Sequence, residues 1–319
     1  MTRTHDSPDA PAASPTPPSA RVYAIVARDA RTAVVFRRGP AKQVRMLRWD
    51  LATDRVEGGQ WLSGRVYEER CDLSPDGELL VYFAGKFKSK VDTFTAISRP
   101  PFFTALAFWP DRGTWGGGGV FETNRKVALQ YGRVNFEQHG GRDIPSDFEV
   151  ISMSDYRRRL GAEADRVRHG FRLLREGVKG PPTDSLSVVW AEPWIEQKPS
   201  PRRAAMHLQR LWHGMFERNG ARCVYTFRLV DERGDALLDL GRLDWADWDH
   251  DGSLLFSEGG RLYRRDVRAP RDAPPAPKLV ADLSAQTFQN LPPTPEAKRW
   301  PSAGRARGAL TPPPSRRRR

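Results

Sequence analysis

Asp247, Asp249 and Asp251 alternate along the chain, Gly252 follows, and Glu258 stands twelfth counting from Asp247. Carboxylates at positions one, three, five and twelve with glycine at six form the oxygen set of a calcium loop. The neighbouring residues support a second reading. Gly259-Gly260 follow Glu258, where an exiting helix would have to begin. The same acids therefore also read as a polar β-hairpin turn without a cation. Calcium is the one cofactor these residues offer. A second candidate is the run Trp115, Gly116, Gly117, Gly118 and Gly119, because a ligand can approach the backbone where side chains are missing. A phosphate-cradling loop would continue with Lys-Ser/Thr and a helix, whereas Val120-Phe121 opens a strand. The run is either a ligand-contact loop or a hairpin with a bulge.

Two arginine clusters offer polyanion binding through counterion release: Arg157, Arg158 and Arg159, and Arg316, Arg317, Arg318 and Arg319. The first also reads as a solvated helix face. No base-reading motif with interleaved aromatics accompanies either cluster. Among the six histidines, His207 and His213 lie six apart, which does not put both on one helical face for zinc. There is no Gly-x-Ser-x-Gly nucleophile elbow. Cys71 falls in an expected strand and reads as a small buried hydrophobe. No catalytic residue is assigned.

The elements that must position these residues are mostly strands. Thr32 to Phe36, Val44 to Leu51, Leu79 to Phe83, Val224 to Val230 and Leu254 to Phe256 are short β-rich runs bounded by turn residues. The turns Asp76-Gly77, Arg233-Gly234 and Asp251-Gly252 suit tight hairpins. The chain also repeats itself. Asp72-Leu73-Ser74-Pro75-Asp76-Gly77 aligns with Asp247-Trp248-Asp249-His250-Asp251-Gly252, and Arg45 to Leu51 aligns with Arg261 to Val267. A third, shorter copy spans Ala107 to Gly113. The most complete unit, 243–283, places four antiparallel strands in about forty residues, the size of one propeller blade.

The Ser-Pro-Asp-Gly turn followed by an apolar strand resembles TolB-type and WD-type propeller repeats. So does Trp49-Asp50-Leu51-Ala52-Thr53 at a strand end. The Asp-x-Asp-x-Asp-Gly run is similar to the loops of integrin-type propellers. The resemblance covers about 21–110 and 222–288, and it implies architecture rather than activity.

Between those stretches the period changes. Tyr156, Leu160, Ala164, Val167, Phe171 and Leu174 recur every three or four residues, which predicts a helix capped by Ser154 and stopped at Gly177. Ser200-Pro201 opens a second predicted helix that closes at Asn219-Gly220, although 206–216 also accepts a strand reading.

Charge refines the picture. The chain carries 52 Lys+Arg against 39 Asp+Glu, a net +13. Residues 291–319 hold eight bases and one acid, and 156–180 hold eight bases and three acids, so basicity belongs to one tail and one insertion. Two cysteines exclude a disulfide scaffold, and no apolar run reaches the ~20 residues of a membrane span. The first twenty residues lack the apolar segment of a secretion signal, and a cytoplasmic location is expected.

The expectation is an all-β propeller of five to six four-stranded blades over 21–290. It carries a helical insertion at about 152–218 and disordered tails at 1–20 and 291–319. If its first and last strands complete one blade together, the ring closes without exposed edges. Such a chain reads first as a non-catalytic scaffold for a protein partner. The alternatives are an enzyme or small-ligand binder in the central channel, or a nucleic-acid-associated protein acting through the tail and the Arg-rich segment.

Overall fold

Apolar residues on both faces of a short strand demand a neighbour on each side, and a ring of stacked sheets supplies it. Thr32–Arg38 shows this, with its first six residues buried. The computed structural model describes residues 20–39, 42–86, 91–130, 144–161, 164, 167–181, 188–216, 222–267 and 275–302. Five sheets form a ring, a five-bladed β-propeller with one α-helix.

Sheet 1 is an antiparallel meander of β1 (Arg21–Val26), β2 (Thr32–Arg38), β3 (Gln43–Asp50) and β4 (Arg55–Ser63). In sheet 2 the inner strand is split into β5 (Arg65–Val66) and β6 (Asp72–Leu73), followed by β7 (Leu80–Gly85), β8 (Thr93–Ser98) and β9 (Ala105–Asp111). Sheet 3 has three strands, β10 (Gly119–Thr123), β11 (Lys126–Leu129) and β12 (Glu149–Ser152), the last pair parallel. Sheet 4 is the largest. It holds β13 (Val167–Arg168), β14 (Phe171–Arg175), β15 (Val178–Lys179), β16 (Val188–Pro199), β17 (Met206–Phe216), β18 (Arg222–Asp231) and β19 (Ala236–Arg242). Sheet 5 is β20 (Trp245–Trp248), β21 (Leu254–Glu258), β22 (Arg261–Arg265) and β23 (Lys278–Asp282).

The repeated turns form as their residues require. Gly77 and Gly252 both take a left-handed φ (74° and 84°), and each donates its N–H three residues back, to Ser74 and Asp249. The shorter copy is not a turn, because Ala107 to Asp111 lie inside β9.

The helical insertion needs correction. Among the described residues only α1 (Met153–Leu160) and the single position Ala164 are α-helical; α1 is capped by the Ser152 hydroxyl rather than Ser154 and closed at Gly161 with φ 60°. Beyond it Gly170 takes φ 79° in a hairpin, and Phe171 and Leu174 sit on β14. The second predicted helix is β17, hydrogen-bonded to β16 on one side and β18 on the other. Its unbranched residues favour a helix in isolation, but pairing on both edges decides the outcome.

Four apolar clusters bind the ring. Phe36, Met46, Leu80 and Tyr82 join sheets 1 and 2. Val81, Trp109, Phe121 and Val127 join sheets 2 and 3. Leu208, Phe227, Trp248 and Leu254 join sheets 4 and 5. Trp49, Leu47, Trp245 and Leu255 join sheets 5 and 1. Among the described residues no such cluster spans sheets 3 and 4, where α1 lies.

No blade is shared between the first and last strands: in the described residues each sheet is built from one continuous stretch of chain. Polar contacts supplement the closure. Arg37 donates to the carbonyls of Leu283 and Ser284, and the Ser257 hydroxyl donates to Val22 O at 2.6 Å.

The chain then continues as a strap. Phe288 packs on Trp61 of sheet 1, and Gln60 donates to Leu291 O. Arg99 of sheet 2 donates to Glu296 O, while Arg125 of sheet 3 donates to Pro301 O at 2.6 Å. Ala297 is buried, and the Trp300 ring lies 4.8 Å from that of Phe148. Disorder was expected from residue 291, yet residues 291–302 are laid along the body. The aromatic contact of Trp300 and the carbonyl bonds of a Pro-rich extended segment hold it there. Residues 1–19 and 303–319, Arg316–Arg319 among them, lie outside the described residues.

Candidate functional site

Strand β1 runs the length of the channel. Arg21, Val22 and Tyr23 line a cavity of about 670 Å³ at one end, and Val26, Ala27 and Arg28 line one of about 480 Å³ at the other. A polar partition lies between. His169, held at φ 51° by the β13–β14 turn, reaches across the ring. Its Nε2 donates to Cys71 O at 2.9 Å, and its Nδ1 lies 3.4 Å from the Tyr23 hydroxyl. Tyr23 donates to Glu69 Oε2 at 3.3 Å.

Arg210 of β17 adds a second tier, gripping Glu196 at 2.7 Å and facing Glu69 at 3.6 Å, with its guanidinium against the rings of Phe171 and Tyr225. Burial opposes the charge on Arg210, but Glu69 and Glu196 outweigh it and hold the guanidinium pKa well above its ordinary value. Lys198 donates to His169 O at 2.9 Å and meets buried Asp247 at 2.6 Å. Asp72 accepts the Phe121 N–H of the next sheet at 2.7 Å. These groups are bound to one another, so the partition is a rigid polar core in which charges are paired rather than displayed.

The larger cavity forms an open mouth. Arg21, Arg38, Arg65, Arg70 and Arg242 line it with Tyr67, Tyr225 and Met215, together with the acids Glu68, Glu69, Asp244 and Glu258. Asp244 has one buried carboxylate oxygen without a hydrogen-bond partner, and burial pushes its pKa up to about 6.

The glycine run borders this mouth through Thr114. Arg70 donates to the carbonyls of Thr114 and Gly116, Thr93 Oγ1 donates to Gly113 O at 2.6 Å, and Gly118 N–H donates to Thr95 Oγ1 at 2.8 Å. The glycines permit this close seating. A Cβ at Gly117 would stand 2.2 Å from the Phe83 ring, and one at Gly118 would stand 2.2 Å from Arg70 O. Between these anchors Trp115 is 94% exposed. The run therefore acts as a fixed mount for one indole.

The acidic set is split. Asp249 is fully buried and takes Arg31 at 2.8 Å and Arg264 at 2.5 Å; Arg264 also bonds Asp54 at 2.9 Å and donates to Leu51 O. Burial alone would raise the Asp249 pKa, but hydrogen bonds from His250, Arg31 and Arg264 hold it well below the usual carboxylate range. His250 is correspondingly raised by its bond to Asp249. Asp251 meets Arg31 at 3.1 Å, and Asp247 meets Lys198. Glu258 ends β21 at the far end of the hairpin, on the mouth. Among the described residues no three His, Cys, Asp or Glu side chains group as metal ligands. The three aspartates thus serve as a clasp between sheets 5, 1 and 4.

Of the arginine cluster, Arg159 is doubly bonded to Glu122 (2.8 and 2.5 Å) and Arg158 pairs with Asp155. No helix of the described residues is long and apolar enough to cross a membrane.

No protein-family model and no curated protein matches the chain. Among solved structures, a chain of the crystal structure of the mitotic checkpoint complex aligns over 90% of this chain and 76% of its own, at 9% identity and a TM-score of 0.21. A likeness that low carries no argument, and the propeller assignment rests on the five sheets themselves.

Tyr23, Glu69, His169, Lys198 and Arg210 were not singled out from the sequence. His169-Gly170 is a turn signal, but the apolar stripe around it reads as helix. Arg210 sits among residues of helical propensity, and nothing local marks it as crossing the ring.

Proposed function

We propose that the protein is a non-catalytic propeller scaffold that grips a protein partner at the channel mouth, with Trp115 as the anchor. One observation carries this reading: a large aromatic side chain is left almost fully exposed on a loop that four hydrogen bonds hold rigid. A pre-ordered Trp beside arginines and tyrosines has the composition of an interface hot spot, and its rigidity lowers the entropy lost on binding. The five-bladed propeller, with its rigid ring of sheets, is compatible with a scaffold as well. The interior of the channel adds to this, since the groups of its partition are engaged with one another.

The test is quantitative affinity capture from native extract with the wild-type chain, Trp115→Ala and Arg65→Glu. A partner retained by wild type is expected to be lost at least tenfold with Trp115→Ala and reduced with Arg65→Glu, while the melting temperature stays unchanged. Equal capture by all three chains refutes the reading.

A further inference from the structure

The second cavity, about 480 Å³, lies at the end of the channel away from the mouth and has a different character. It is lined from all five sheets and opens between α1, beside sheet 3, and sheet 4, at the junction that no apolar cluster of described residues spans. Tyr156 and Leu160 of α1 form one wall, and Pro199 and Pro201 beside sheet 4 form the facing one. Trp248 and Val26 contribute further apolar surface, and Leu160 is 45% exposed, so the helix leaves an apolar edge at the opening.

The charges around this space are unequal in their pairing. Lys198 is held by Asp247, and His250 stands against Asp249 at 3.5 Å. Asp72 is tied to the Phe121 N–H and faces His169 Nε2 at 3.7 Å. Arg28 is different. Its guanidinium donates to the carbonyl oxygens of Phe121 (2.7 Å) and Glu122 (3.5 Å), and no carboxylate pairs with it among the described residues. It is an exposed, pre-positioned cation at the edge of a largely apolar chamber with a few polar groups, the composition of a small-molecule pocket.

We propose that this cavity binds a small organic anion with an apolar body, its acid group on Arg28 and its body between α1 and the Pro199–Pro201 wall. The occupant bridges sheets 3 and 4 where the ring lacks its own apolar cluster. It therefore stabilises the fold in proportion to its occupancy. The site is independent of the partner face at the mouth.

Anilinonaphthalenesulfonate, a sulfonate on fused rings, is the direct probe, titrated against the full chain by fluorescence. One probe per chain is expected, displaced by octanoate at lower concentration than by octanol. Arg28→Gln is expected to weaken the probe and octanoate about tenfold while leaving octanol unchanged, since a charged hydrogen bond is lost. Leu160→Glu, at an exposed position that tolerates charge, is expected to weaken all three. Octanoate is also expected to raise the melting temperature of the wild-type chain. The proposal is overturned by any of three results: no saturable binding, probe binding that survives both substitutions, or octanol competing as well as octanoate.

Discussion

Trp300→Ala probes the strap directly. The Trp300 ring lies 4.8 Å from Phe148 and joins the cluster between sheets 2 and 3. A fully buried tryptophan truncated to alanine costs about 3–5 kcal/mol. Trp300 is half-buried, which brings the packing loss down to about 2–3 kcal/mol, with ~1 kcal/mol of it from the aromatic pair. Its indole N–H is buried without a partner, so removing the ring also removes a desolvation cost and draws the net toward about 2 kcal/mol. For a ring of this size, that is a fall of about 3–4 °C in melting temperature. The assay is urea and thermal unfolding of wild type, Trp300→Ala, Phe148→Ala and the double variant. The cycle should return a coupling near ~1 kcal/mol. A Trp300→Ala change within about 0.5 kcal/mol of wild type, the range of an ordinary surface substitution, refutes the claim that the strap packs on the ring.

Three further outcomes are expected. Asp244→Asn should match wild type near pH 4 and exceed it near pH 7 by about 2–3 kcal/mol in urea unfolding. The folded carboxyl near 6 lies above its unfolded value, so wild-type stability falls as pH rises through that window. Asp249→Asn has the opposite sign. Its depressed carboxylate contributes stability above pH ~4 that is lost on acidification. The variant should be destabilised at pH 7 by about 3–5 kcal/mol and show a flatter acid limb by circular dichroism. Gly118→Ala should broaden Trp115 fluorescence and lower stability, because a Cβ there meets Arg70 O at 2.2 Å in a left-handed conformation (φ 86°). Gly113→Ala, where a Cβ meets nothing, is the control.

The sheets were legible wherever β-rich runs sat between turn glycines, and 243–283 shows this strand by strand. Each hairpin there is local, so propensity and turn chemistry agree with the final pairing. Sheet 4 was legible at Val224 to Val230, which lie within β18, but not in its first strands. Phe171 and Leu174 continue the stripe begun by Tyr156 and Leu160, and among the described residues the positive-φ Gly161, His169 and Gly170 divide helix from hairpin. Those glycines are visible in the sequence, but their φ is imposed by the ring.

The partition shows the same limit at the level of the site. His169, Tyr23, Glu69 and Arg210 come from three sheets, and no local spacing predicts their meeting. The glycine run was visible as a candidate. Its role as a mount for Trp115 depends on Arg70, which lies far earlier in the chain.

The construction of each sheet from one stretch of chain has a consequence for biosynthesis. A propeller whose last blade borrows its outer strand from the N-terminus leaves that strand waiting until translation ends. Here, within the described residues, sheet 1 is complete once Ser63 has emerged, sheet 2 once Asp111 has, and the others follow in turn. At a synthesis rate of about 5–20 residues per second, each sheet has seconds to pair before the next appears. The strap is translated after the sheets it crosses. Within the described residues, then, each sheet can pair its strands in the order in which they are made.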